Sequence, residues 1–364
     1  MSPAFAVAAA ASRQDGELIE SRLCELALAP PTGVRRARAM ASRLLACMAS
    51  RLLACLLAAA VLIFGPWSAD IHAAILPAPI QLSANTWAWI GPYEGPSKGN
   101  QGFRMNLGFV VGRDAVAVID TGYTVDMALE MVAAIRRVTS LPIRFAINSN
   151  SQPHRFMGNQ VFRKQGARVI AGAEAAARMS RDGGDFVQGI ANALELKDPP
   201  TLPAPPDRLI AEQGSEHLDL GGGVIIQVIH VGRTHTGGSL VARVLPDRTV
   251  FAGDVLYAGR LPAILADSSL IGWIAGFERL RGIDTAVFVP GHGQPAALAA
   301  FEQPTLAYLK ALKNHMDAAF KAGAEAGAAV RMFDASAWKH LVNFSELSGR
   351  NAALAYLESE REGF

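Results

Sequence analysis

Four short segments carry most of the side chains able to do chemistry in this chain. They are Asn148-Ser-Asn-Ser-Gln-Pro-His-Arg-Phe-Met-Gly-Asn159, Thr234-His-Thr-Gly-Gly-Ser239, Phe251-Ala-Gly-Asp254 and Pro290-Gly-His-Gly293. The last three supply His235, Asp254 and His292, imidazoles and a carboxylate of the kind that ligate metal ions or move protons. The first supplies His154, flanked by Asn150, Gln152 and Arg155. A carboxamide is neutral and offers only a weak oxygen donor to zinc. A guanidinium keeps its charge at any ordinary pH. One potential ligand therefore sits beside a fixed cation.

The elements that must position these groups alternate between strand-like and helical patterns. Asn106–Val111 and Ala115–Asp120 flank Gly112-Arg-Asp114 and read as strand, turn and strand. Val125–Val138 places Leu129, Val132 and Ile135 at helical spacing. Ile143–Ile147 reads as a strand that delivers the first segment at its C-terminal end. A short helix from Asn159, a strand at Arg168–Ala171 and one longer helix over Ala173–Leu196 are expected next. Pro199–Pro206 cannot be regular, because proline removes donors and restricts its neighbours. Strands at Val224–Ile229, Leu240–Leu245, Thr249–Ala252 and Ala286–Val289 follow, with a helix near Ile271–Arg281 between the last two. Helices at Pro304–Ala322 and near the C-terminus end the chain.

In this order, with these flanks, the four segments resemble the metallo-β-lactamase superfamily. The first motif of that family reads His-x-His-x-Asp-His, followed in many members by Gly-Asn. Aligning on Gly158-Asn159 puts Asn150, Gln152, His154 and Arg155 where the family has His, His, Asp and His. The resemblance spans residues 76–298. It implies an α/β fold, an αβ/βα four-layer sandwich with C-terminal helices. The division it suggests is an N-terminal extension and signal over 1–73, a metallo-β-lactamase-like domain over 74–303 and a helical segment over 304–364. The flanking text at Gly91–Pro96, Asn106–Phe109 and Val118–Gly122 is most similar to exported quinoprotein-relay-type zinc metallohydrolases.

The family holds two zinc ions, with a metal-bound hydroxide attacking an ester, amide or thioester carbonyl. Carried over by position, His235, Asp254 and His292 match. His235 would share the first zinc position with Asn150 and Gln152, so at most one ion is expected. Arg155 is a further obstacle: a unit charge ~4 Å from a divalent cation costs about 8 kcal/mol at an effective dielectric of 20. Two readings remain. In one, Arg155 turns away, and His154, Asp254 and His292 hold one zinc with an open fourth place, supported by Asp120. In the other no metal binds, and Arg155 pairs with Asp254 in a cleft suited to an anion. The first makes the chain a hydrolase of ester, thioester or lactone-type bonds, with Asp254 and His235 as catalytic residues. The second makes it an inert binding protein for an anionic ligand or a protein partner, by analogy a periplasmic quinoprotein. Each residue also has a plainer reading: His154 as a solvated loop histidine, Asp254 as a turn cap. His217 and His230 match no site motif, and Ser239 has no base at nucleophile spacing, so all three are expected to be structural.

A formal net charge of +2 over 364 residues gives no case for nucleic acid. Met40-Ala-Ser-Arg-Leu-Leu-Ala-Cys47 is repeated at once as Met48–Cys55, and the apolar run Leu52–Phe64 follows, then Gly65-Pro66 and small residues to Ala73. That order is that of a secretory signal, with translation starting at Met40 or Met48. The run is short of the roughly 20 apolar residues of a bilayer span. Export to the periplasm is expected, with an inner-membrane anchor over residues 52–67 as the alternative. Cys24, Cys47 and Cys55 are the only cysteines, so the chain beyond residue 73 has no thiol to ligate metal or act as nucleophile.

Overall fold

A computed structural model describes residues 74–363. The secretory signal, the start-site reading and all three cysteines lie outside the described residues. Among the described residues no helix is long and apolar enough to cross a membrane.

In chain order the elements are β1 (Ile80–Gln81), β2 (Thr86–Trp89), β3 (Leu107–Val111), β4 (Val116–Ile119), α1 (Val125–Val138), β5 (Ile143–Ile147), α2 (Pro153–Phe156), α3 (Asn159–Lys164), β6 (Arg168–Gly172), α4 (Ala173–Arg181), α5 (Gly183–Leu194) and β7 (Arg208–Ile210). Then come β8 (Ser215–Asp219), β9 (Ile225–Gly232), β10 (Ser239–Leu245), β11 (Thr249–Tyr257), α6 (Leu270–Leu280), β12 (Val287–His292), α7 (Tyr308–Lys321), α8 (Ala326–Met332) and α9 (Phe344–Gly363).

The strands form two sheets. The seven-stranded sheet runs β1 to β7 in order, and the five-stranded sheet runs β12-β11-β10-β9-β8. Pairing is antiparallel from β1 to β4 and parallel from β4 to β7. In the second sheet it is antiparallel from β8 to β11 and parallel between β11 and β12. Parallel neighbours need helical crossovers, which is why α1 and α6 precede β5 and β12. The apolar residues form three cores. One lies between the sheets (Val110, Ile119, Val228, Phe251). Another lies under the helices of the first sheet (Met127, Met131, Phe162, Ile190). The last joins β11 and β12 to α6, α7 and α9 through Trp273, Phe277, Leu309 and Tyr356. Helix, sheet, sheet, helix is the four-layer sandwich expected from the sequence.

Some expectations change. Helix α1 begins and ends where its periodicity predicts, capped by the Thr124 hydroxyl, which accepts from the Met127 N–H at 3.1 Å. Its buried face is Met127, Ala128, Met131, Ala134 and Ile135, while Leu129 is exposed. The single helix expected over 173–196 is two, α4 and α5, broken at Asp182. Gly183 packs where a Cβ would meet Leu202 at 2.3 Å, so the chain turns there to bring the proline-rich stretch against the helices.

Candidate metal centre

The candidate groups converge because both sheets end on one edge. Strand β4 delivers Asp120, whose backbone is held at φ 59° with its N–H donating to the Ile147 carbonyl at 2.8 Å. Aspartate tolerates this left-handed conformation better than most residues. Strand β5 runs into Asn148, and a reciprocal amide pair ties Asn148 to Asn159 at 2.8 and 2.9 Å. Asn148 also donates to the Arg155 carbonyl at 2.8 Å, so the intervening turn has one shape. Gly158 is required there, since a Cβ would lie 2.0 Å from the Thr121 carbonyl oxygen.

The turn contains α2, which starts with Pro153 at its first position, where no amide donor is missed. His154 and Arg155 are neighbours on this helix and therefore point about 100° apart. His154 faces an open pocket, and Arg155 goes inward, fully buried. All five guanidinium N–H donors are used. Nε and Nη2 bond Asp254 at 3.2 and 2.6 Å, Nη1 bonds Asp120 and the Asn106 carbonyl at 2.9 Å each, and Nη2 also bonds the Gly291 carbonyl at 3.2 Å.

Asp254 lies at the centre. Asn150 Nδ2 donates to its Oδ2 at 2.7 Å, His154 Nε2 lies 3.5 Å from Oδ2, and His292 Nε2 lies 3.4 Å from Oδ1. Burial opposes the charge on Asp254, yet Arg155 holds its carboxyl well below the usual carboxylate range. Burial pushes Asp120 up to about 6, against the pull of Arg155 and two hydrogen bonds from Ser149. Burial also lowers His154 to about 3 and His292 well below its ordinary value, the latter helped by the Arg260 cation, so both are neutral at pH 7.

One donor atom from each of His154, Asp254 and His292 lies within 4.8 Å of the others, the only such group among the described residues. His292 Nδ1 is 2.8 Å from the Arg104 carbonyl, which can only accept, so this nitrogen carries the proton and Nε2 presents a bare lone pair to Asp254. Lone pair against carboxylate at 3.4 Å is unfavourable unless a cation lies between them. His154 Nε2 is buried and has no hydrogen-bond partner among the described residues. Two carboxylates against one guanidinium leave the buried cluster at net −1. Two imidazoles and a carboxylate are donors that zinc takes, so donor type and orientation fit a single divalent ion, while the Arg155 cation on Asp254 opposes it. Gly291 seals the floor, since a Cβ there would lie 2.2 Å from Asp254 Oδ1. Gly291→Ala is expected to cost roughly 1–3 kcal/mol by overpacking and to weaken zinc binding, as read by thermal melts with and without the metal.

The comparisons with known proteins agree with this fold. Residues 102–292 match the family model of the metallo-beta-lactamase superfamily. The chain belongs to the metallo-beta-lactamase superfamily. Among solved structures it is similar to a metallo-beta-lactamase from Pontibacter korlensis, with 18% identity, a TM-score of 0.51, and 64% of this chain and 98% of that one covered. It is also similar to the DIM-1 metallo-beta-lactamase exposed to ceftazidime, with 14% identity, a TM-score of 0.50, and 65% and 98% covered. At these identities the structures speak for the fold alone.

Within this metallo-beta-lactamase fold the candidates separate into groups. His154, Asp254 and His292 form the ligand cluster. His235 lies outside it, on the pocket wall, packed edge-on against Trp273 at 5.3 Å with Nδ1 unpartnered. Asn150 supports Asp254, and Gln152 lines the pocket while its backbone N–H donates to Asn150 at 2.8 Å. Asp120 touches Arg155 and Ser149, acting one step behind Asp254. The expectation that Arg155 must turn away for the ligands to meet is corrected: it points inward and the three still converge, because it lies beneath Asp254. The pairing of Arg155 with Asp254 that the alternative reading named is present, and it uses every guanidinium donor, so an anion in the cleft would have to be held by other groups. Of the residues set aside, His230 accepts from the Gly232 N–H at 3.1 Å and Ser239 bonds Thr234 and Thr236, both structural. Arg104, Tyr257, Arg260, Glu346 and Arg350 also line the pocket and belong to no motif. Only the position of Tyr257 and Arg260, just past Asp254, hinted at them.

Proposed function

We propose that this chain binds one zinc ion through His154, Asp254 and His292 and hydrolyses a small ester, thioester or lactone-type bond. The observation that carries the reading is the pair of buried imidazole nitrogens, one unpartnered and one fixed as a lone pair, directed at a carboxylate. When bound, zinc would polarise a carbonyl and lower the pKa of a water. The protein's own groups do the rest. Arg155 fixes Asp254 by a bidentate pair and supplies a permanent positive charge beneath it. The Arg104 carbonyl sets the tautomer of His292. His235, with Nδ1 unpartnered, offers a hydrogen-bond acceptor to an incoming molecule. The pocket above, about 240 Å³, admits a small substrate.

The test is metal content. Purified from zinc-supplemented medium, the wild type should carry about one zinc per chain, and His292→Ala should lose it, with ester turnover lost in parallel. A wild type without zinc, and with no thermal shift on chelation, would defeat this reading. It would favour the inert alternative, for which the fully satisfied Arg155–Asp254 pair speaks. Export to the periplasm and a place beside a quinoprotein are part of the proposal. They are supported by the Leu52–Phe64 run and by the subgroup resemblance at Gly91–Pro96. Fractionation of the full chain, with cleavage near Ala73, checks the first.

A further inference from the structure

The pocket over the metal cluster has a wall that the proposed hydrolysis does not use. Arg104, Arg260 and Arg350 line it, with Glu346 as the only carboxylate among its lining residues. Arg260 is 3% exposed, yet its Nε and Nη1 have no hydrogen-bond partner among the described residues, and neither has Arg104 Nε. Two other shielded arginines are answered by carboxylates, Arg155 by Asp120 and Asp254 and Arg178 by Asp182 and Asp267. No ion pair joins Arg104, Arg260 or Arg350 to any carboxylate among the described residues. Arg350 spends one donor on the Ile264 carbonyl at 3.1 Å. The Tyr257 ring covers Arg260 at 6.0 Å but supplies no counter-charge.

Buried donors of a guanidinium are costly to leave unmet. Arg260 also cannot swing away easily. Its chain is pinned on both sides, Leu261 N–H to the Val342 carbonyl and Val342 N–H to the Gly259 carbonyl, each at 3.0 Å. Three guanidinium groups against one carboxylate leave the arginines and Glu346 of the wall at net +2.

We infer that Arg260 and Arg104 form an oxyanion-binding subsite and that the substrate carries a carboxylate or phosphate held there. Arg104 couples the two sites, with its side chain on the anion wall and its carbonyl on His292. An acid bound by the arginines would lie beside the metal cluster in the same pocket, so the reacting bond belongs to a small acidic molecule rather than to a neutral ester. The inference that this anion is part of a substrate rests on the hydrolase reading above. The anion subsite itself does not.

The experiment separates the two. In metal-free protein, inorganic phosphate and butyrate are titrated by calorimetry at constant ionic strength, with chloride as the reference anion. Saturable binding of either probe above chloride is expected, with the stronger one identifying the anion class. Binding should weaken at least tenfold in Arg260→Gln and in Arg104→Gln. Two variants guard against one failing to fold, and circular dichroism checks each. If neither probe exceeds chloride, or if both arginine variants bind like the wild type, the subsite is refuted and Glu346 is the internal partner of the wall. Anion binding without zinc binding sinks the hydrolase reading alone, and zinc binding without anion binding sinks this one alone. With zinc present, p-nitrophenyl hemisuccinate should be preferred over p-nitrophenyl butyrate, and Arg260→Gln should abolish the preference.

Discussion

Arg155→Met is expected to destabilise the folded chain by about 3–5 kcal/mol, the usual result of removing one partner from a buried ion pair. Methionine fills much of the same volume but leaves Asp254 and Asp120 facing each other without the cation that both contact. It also strands the Asn106 and Gly291 carbonyls, which now accept from Nη1 and Nη2. For a domain of this size each kcal/mol shifts the midpoint by roughly 2–4 °C, so a fall of about 10 °C should be visible in a thermal melt. Arg155→Lys keeps the charge without the fork and should recover only part of the loss. Combining Arg155→Met with Asp120→Asn and Asp254→Asn removes the charges together and should recover more than either aspartate change alone. Zinc should raise the midpoint of Arg155→Met more than that of the wild type, because the ion can supply the missing positive charge. An Arg155→Met protein melting within about 2 °C of the wild type would mean that the guanidinium is not what holds the two carboxylates.

The sequence made the scaffold legible where burial imposes a period. Strand β5 and helix α1 fall at their expected boundaries because one is a short buried run and the other is capped at Thr124. Strand β8 gave no such signal. Its Ser-Glu-His-Leu-Asp buries only Leu218, since it lies at the sheet edge with most side chains outward. The site was half legible for a similar reason. His235, Asp254 and His292 stand in spaced motifs at strand ends, and their convergence follows from the fold. The direction of Arg155 does not. It depends on a single turn of helix, where a rotation of about 100° exchanges the roles of His154 and Arg155. That rotation is set by the Asn148–Asn159 pair and by the Asp120 contact to Arg155; the residues stand in the motifs, but their pairing does not show in the local pattern. The anion wall was least legible, because Arg104, Arg260 and Arg350 come from three distant stretches and meet only once the C-terminal helix α9 packs against the second sheet.

Asn150→His together with Gln152→His is expected to raise the zinc content from about one to about two ions per chain. The wall that would hold the second ion already contains His235, whose Nδ1 has no partner, and Gln152 lines the same pocket. Two added imidazoles would complete three nitrogen donors, leaving a fourth place open as catalytic zinc sites do. Asn150 now donates to Asp254 Oδ2 at 2.7 Å, and a histidine there could keep such a bond through its second ring nitrogen, which would orient it as a ligand. The loss is local: the Gln152 N–H gives up its bond to Asn150, worth about 1 kcal/mol. Asn150→His alone should leave the stoichiometry unchanged, since two imidazoles and an amide make a poor zinc site. The remaining obstacle is the charge of Arg155, which two carboxylates offset before any second ion arrives. Adding Arg155→His separates the causes. If the double variant holds one zinc and the triple holds two, the buried cation sets the limit. If the double already holds two, the amides at 150 and 152 set it. A triple variant holding no more zinc than the wild type would show that neither explains the single-ion site, and the assignment of His235 to a vacant metal position would fall with it.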